Sequence, residues 1–131
     1  MSEENVEIVR RVNDAFHAAE WDAALDLYDD EAELDMTRMP AGDVYHGPEE
    51  VRKFFTRWVA AWDRFQAERL DLIDAGDAVV LVSRITGVGR GSGAEVQMRS
   101  ADVFFVEGGR IVRHVGYPDA EEALADLGLS M

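Results

Sequence analysis

Val96-Gln97-Met98-Arg99-Ser100-Ala101-Asp102-Val103-Phe104-Phe105-Val106 turns through Glu107-Gly108-Gly109 and returns as Arg110-Ile111-Val112-Arg113-His114-Val115-Gly116-Tyr117. Two runs rich in β-branched and aromatic residues, joined by a glycine pair, predict an antiparallel hairpin. Alternation puts Val96, Met98, Ser100, Asp102 and Phe104 on one face of the first strand and Gln97, Arg99, Ala101, Val103 and Phe105 on the other. Asp102 is the anomaly. Asp is depleted in strands, and a buried carboxylate loses hydration that an apolar wall cannot replace. It requires a partner, a pocket or a raised pKa.

Upstream of the hairpin, Phe65 to Asp74 and Ala78 to Thr86 predict two further strands about a turn at Ala75-Gly76-Asp77. The glycine-rich stretch from Gly87 to Gly93 then leads into the strand of Asp102. Downstream, Pro118 closes the last strand, and Asp119 with Glu122 predicts a capping box for a final helix that stops at Gly128. The amino-terminal half follows a helical period instead. Val6, Val9, Val12, Phe16 and Ala19 form one stripe behind a cap at Ser2, with Glu3 and Glu4 at the positive helix end. A shorter helix starts near Trp21 or Asp22 and turns Ala24, Leu25 and Tyr28 inward, until Asp29-Asp30-Glu31 breaks the pattern. Ala32 to Met36 reads as a short strand, and Thr37 to Val44 as a loop containing Pro40 and Gly42. Gly47-Pro48-Glu49-Glu50 opens a third helix with Val51, Phe54, Phe55, Trp58 and Trp62 along one face.

Helices followed by consecutive strands predict an α+β fold, with the helices on one face of a curled antiparallel sheet and a short C-terminal helix. The 131 residues suit a single domain. Strands apolar on both faces predict that the outer sheet face is covered by a second copy, making a homodimer.

Twenty-seven acidic residues against 13 basic ones give a formal charge of -14. That field repels phosphate backbones and anionic lipid, so neither nucleic acid nor membrane is an expected partner. Cysteine is absent, which excludes disulfides, thiolate metal sites and cysteine nucleophiles. The segment from Met1 to Asn5 lacks a signal-peptide pattern, no apolar run reaches membrane-spanning length, and a cytoplasmic location is expected. His17, His46 and His114 show no ligand spacing, so no metal and no other cofactor is expected. The glycine stretch has neither the Lys-Ser/Thr nor the following helix of a phosphate-binding loop.

Chemistry is therefore expected at Asp102, Arg84 and His114. Arg84 shares a strand face with Val80, Val82 and Thr86, and His114 shares one with Val112 and Gly116. On adjacent strands the three can converge on the concave side. Burial would make Asp102 a neutral proton donor; a neighbouring Arg84 would keep it anionic, as a base or an orienting group. A purely structural Arg84–Asp102 ion pair, with His114 in the core, is the competing reading.

The chain as a whole resembles the SnoaL-like branch of the nuclear transport factor 2-like superfamily. The resemblance rests on Ile8-Val9-Arg10-Arg11 through Phe16, Trp21-Asp22-Ala23-Ala24-Leu25, Tyr45-His46-Gly47-Pro48-Glu49-Glu50-Val51, Gly108-Gly109-Arg110-Ile111-Val112 and Tyr117-Pro118-Asp119 to Leu129. It implies a cone of three N-terminal helices on a curved antiparallel sheet. It also implies a range of functions, from ketosteroid isomerases, polyketide cyclases and epoxide hydrolases to non-catalytic binding modules. Asp102 falls where the isomerases keep a protonated acid in the oxyanion hole. Their general base falls on Met36, with Asp35 one residue away on the opposite face, and their first-helix tyrosine falls on Val12. Two of three isomerase groups are thus missing, which argues against steroid isomerisation by that mechanism. An Asp-Arg-Asp relay of the hydrolase kind would draw on Arg84 and Asp102, with His114 in place of the second acid.

The expected function is binding, and cofactor-independent acid–base transformation, of a small, largely apolar molecule. Met36, Phe54, Trp58 and Tyr117 would line its pocket above Arg84, Asp102 and His114. The alternative is a non-catalytic ligand-binding or dimerisation module whose cone is filled by Phe54, Trp58 and Trp62.

Overall fold

The structure, a computed structural model, describes residues 2–39 and 42–129. The capping side chain assigned to Ser2 and the loop position of Pro40 lie outside what it describes. The first apolar stripe makes helix α1 (Ser2–His17), and α2 (Trp21–Leu25) follows after a sharp reversal. Ala19 lies in that reversal, not on the helical stripe: its φ is 58°. Ala19 N–H donates to the Phe16 carbonyl and Glu20 N–H to the Ala15 carbonyl, so α1 ends in a Schellman motif.

Strand β1 (Tyr28–Asp35) begins earlier than the sequence pattern indicates, and Tyr28 belongs to it, not to the second helix. The acidic run that reads as a break is a bulge. Tyr28 pairs with Ile111 and Glu33 with Arg113 on the parallel partner strand, so Asp29 to Ala32 are looped out within the ladder. Val44 is likewise strand, the first residue of β2 (Val44–His46). Helix α3 (Gly47–Ala60) starts as expected at Gly47-Pro48, and the Glu50 carboxylate accepts from the His46 N–H at its N-terminus. Trp62 is not on that helix; it opens β3 (Trp62–Asp74), which pairs with β4 (Val79–Gly89). Gly87 to Gly89 extend β4, and a Cβ on Gly87 would strike the Trp62 ring.

The hairpin is β5 (Glu95–Glu107) and β6 (Arg110–Tyr117), turning on Gly108 and Gly109 with φ of 59° and 80°. Both turn residues need positive φ, which glycine adopts at no steric cost. The sheet order is β2-β1-β6-β5-β4-β3, antiparallel except where β1 runs parallel to β6. Helices α1 to α3 pack on its inner face around Val9, Val12, Leu34, Val51, Leu81 and Phe104.

The C-terminal helix α4 (Ala120–Asp126) covers the other face. Ala120, Ala123 and Leu124 pack on Val80, Val82, Ala101, Val103 and Val115. The apolar outer face that pointed to a second subunit is thus covered, in this part, by the chain itself. Asp119 caps α4 by accepting from the Glu121 N–H, one residue short of the capping-box position at Glu122. Gly128, at φ 73°, ends the helix with Leu129 N–H on the Leu124 carbonyl. No helix among the described residues is long and apolar enough to cross a membrane.

Candidate active site

Strand register decides which side chains meet. Asp102 lies between Leu81 on β4 and Gly116 on β6, and Ser100 is opposite Ser83. Odd positions of β4 therefore share the inner face with even positions of β5 and with His114 and Gly116 of β6. Arg84 is on the other face. Its guanidinium pairs with Glu68 at 3.0 Å, both groups exposed, and it does not line the cavity that Asp102 and His114 share. The expected convergence of Arg84 with Asp102 is not formed, because alternation within each strand does not tell which faces of two strands coincide.

The partner of Asp102 is His114. Phe104 pairs directly with His114 across the β5–β6 ladder, which places Asp102 diagonal to the imidazole. His114 Nε2 is 2.8 Å from Asp102 Oδ1, and Tyr28 Oη is 2.9 Å from His114 Nδ1. The ring is stacked on Phe104 with centroids 4.1 Å apart. Tyr28 and His114 are almost wholly buried, whereas the Asp102 side chain keeps 28% of its exposure. The three residues form a line running from the core to the cavity, ending on a carboxylate.

Hydrogen-bond satisfaction fixes the direction of the line. Burial, then the negative charge of Asp102, pushes the Tyr28 phenol well above its ordinary pKa, so it keeps its proton. That proton has His114 Nδ1 as its acceptor among the described residues. A second proton on Nδ1 would leave the buried phenol donating to nothing. With the phenol donating to Nδ1, it is the hydrogen on Nε2 that donates to Asp102. Asp102 Oδ2 has no hydrogen-bond partner among the described residues.

Above this carboxylate the helices leave a cavity of about 440 Å³. Met36, Phe54, Trp58 and Tyr117, the four residues expected to line a pocket, all do so, together with Val12, Phe16, Trp21, Phe55 and Phe65. Gly116 makes room at the floor: a Cβ there would collide with the Met36 sulfur beside Asp102. Ser100 Oγ is buried at the floor with no hydrogen-bond partner among the described residues. Val12 and Met36 both line the cavity. Asp35 faces elsewhere, its carboxyl held below the usual range chiefly by the Thr37 hydroxyl. Among the described residues no cluster of His, Asp and Glu is arranged to hold a metal ion.

The sequence signature described as a SnoaL-like domain matches residues 9–114, which carry all three members of the hydrogen-bonded line and the cavity lining apart from Gly116 and Tyr117. The chain belongs to the SnoaL-like family. Solved structures agree with this assignment. A nuclear transport factor 2-like protein from Burkholderia thailandensis is 27% identical, with a TM-score of 0.81 over 96% of this SnoaL-like chain and 98% of its own. A putative polyketide cyclase from Xanthomonas campestris pv. campestris is 20% identical, with a TM-score of 0.71 over 95% and 97%. A protein of ketosteroid isomerase-like fold from Catenulispora acidiphila, in complex with trimethylamine, is also 20% identical, with a TM-score of 0.73 over 95% and 94%. The last two speak to the fold. No curated protein matches this SnoaL-like chain.

Tyr28 is the member of the site that the sequence pattern hides. Its position next to Asp29-Asp30-Glu31 suggests a helix end, and only the bulge in β1 carries its ring to His114. The one available signal was that Tyr28 had to point inward, which it does.

Proposed function

We propose that this SnoaL-like protein binds a small, largely apolar molecule in the cone and moves a proton on it, with Asp102 as the acid–base group. The observation that carries the reading is a carboxylate at the floor of an apolar cavity with one oxygen engaged by His114 and the other open. In this role Oδ2 accepts a proton from the substrate and returns it to another atom of the same molecule. His114 is a positioning residue that steadies the carboxylate through Nε2–H, and Tyr28 holds the imidazole in that tautomer. Arg84 has no part in it. Met36, Phe54, Trp58 and Tyr117 are the substrate-contacting residues. A relative of the same fold in complex with trimethylamine supports a small-molecule role for the cone. The open volume tells against a cone plugged by Phe54, Trp58 and Trp62, since Trp62 packs beside Gly87 and not in the cavity. The reading extends to a cytoplasmic homodimer packed through the outer sheet face that α4 leaves open.

Native mass spectrometry of the purified protein identifies the retained molecule, and incubation in deuterated water follows exchange of its carbon-bound hydrogen. Asp102→Asn is expected to bind that molecule and to slow exchange by about 10²–10⁴-fold, the usual contribution of a positioned acid–base group. Unchanged exchange removes Asp102 from the reaction. Retention with no exchange in the wild type leaves a binding module in place of an enzyme.

A further inference from the structure

The charge of the cavity says more about its ligand than its volume does. Asp102 is the acidic residue of the lining, and no lysine or arginine is among the described lining residues. Arg84 is turned to the outer face, and Arg69, on the inner side of β3, is spent on Asn13 and Asp14. The titratable groups that also face the space are His17, His114 and Tyr117. His114 is engaged at both ring nitrogens, by Tyr28 and by Asp102, and Tyr117 donates its hydroxyl proton to Asp126. An acid in an apolar enclosure with no lysine or arginine among its described lining residues is a place that a cationic ligand can complement.

We propose that the cavity is a receptor for an organic cation, a small amine or quaternary ammonium whose charged centre sits at Asp102 and whose apolar body lies against the aromatic walls. The proposal rests on the reading of the cavity as a ligand site and adds the charge class. Three further features fit it. Ser100 Oγ, buried and without a partner among the described residues, lies two residues along the same strand face and supplies an acceptor for an ammonium hydrogen, with Ser83 across the ladder from it. Phe54, Trp58 and Phe65 line the same space, and aromatic side chains are the partners that attract cations. The formal charge of -14 enriches cations around the whole chain and depletes anions. A carboxylate ligand, by contrast, would meet Asp102 with nothing to balance either group.

The test uses one skeleton in three charge states: benzylammonium, benzyl alcohol and benzoate. Binding is followed by calorimetry, and by the fluorescence of the cavity tryptophans, near neutral pH in about 0.15 M salt to screen the outer surface. Benzylammonium is expected to bind one site per chain at least about tenfold more tightly than benzyl alcohol, with benzoate weakest. Benzyltrimethylammonium should follow benzylammonium. In Asp102→Asn the gap between ammonium and alcohol is expected to close to within about threefold. Alcohol or benzoate binding as tightly as the ammonium overturns the charge class; so does a gap that survives Asp102→Asn, or the failure of every probe to bind. Equal binding of alcohol and ammonium would still leave the cavity a ligand site, and proton transfer would stand or fall on its own isotope exchange. The wild-type order decides the question even if the variant does not fold.

Discussion

A buried phenol, a buried imidazole and a half-open carboxylate form a chain in which each proton has one place to go, so removing a link has a defined cost. Tyr28→Phe takes away the donor to His114 Nδ1 and leaves a buried acceptor unmet, for a loss of about 1–3 kcal/mol in stability. It also frees the imidazole to move its hydrogen to Nδ1, which would release Asp102. The alkaline limb of stability reports the same residue. Above about pH 10 the unfolded chain gives up its phenolic protons, while Tyr28, held higher in the fold, keeps its own. The native state then binds more protons than the unfolded one, so stability is complete below that pH and falls as pH rises through it. Urea unfolding of wild type and Tyr28→Phe from about pH 8 to 11 should show a shallower alkaline fall in the variant. It should not be flat, because burial also raises Tyr117. Identical slopes would mean that Tyr28 carries no retained proton.

Elements begin and end where local chemistry allows, and two helices here end in the same motif with different residues. Gly128 closes α4 and Ala19 closes α1, at φ of 73° and 58°. Glycine takes that conformation freely, whereas alanine sets its Cβ against a carbonyl. Ala19→Gly is therefore expected to raise stability by about 1 kcal/mol, and Gly128→Ala to lower it by a similar amount, both read from urea midpoints. Loss of stability in Ala19→Gly would show that the alanine methyl, which lines the cavity, packs well enough to outweigh its strain. The element scale also marks how far the sequence could be read. The hairpin, the start of α3 at Gly47-Pro48 and the turn at Gly76 are visible because glycine and proline act within a few residues of themselves. The β1 bulge is not, because Asp29-Asp30-Glu31 is a poor strand sequence made acceptable by what surrounds it: Glu33 pairs with Arg113 at 3.1 Å and Ala32 and Leu34 fill the core.

Placing a whole sheet requires its register, and register is a property of the molecule. Asp102 and His114 were legible as residues of one hairpin, but its turn alone would set Asp102 opposite Val115; the extra residue Val112, between the Val106–Ile111 and Phe105–Arg113 pairs, shifts the register and brings the two to one face. The facing of Arg84 was not legible, since one residue of slip between β4 and β5 would have turned it inward; the fold puts Leu81 opposite Asp102 and sends the guanidinium out to Glu68. The covering of the outer face was equally hidden, because α4 reads in isolation as any short capped helix. One whole-molecule quantity needs no register at all. Forty charged residues, 27 of them acidic, leave a formal charge of -14 on a small domain. The ion pairs that offset part of it, such as Arg10–Glu7 and Arg90–Asp63, are exposed and each contributes little. Self-repulsion should therefore outweigh the screened pairs, and salt should stabilise. Raising sodium chloride from about 0.01 to 0.3 M at neutral pH is expected to add about 1 kcal/mol, or on the order of 4 °C in Tm. A Tm that falls over this range would mean that the exposed pairs together hold more of the fold than the net charge opposes.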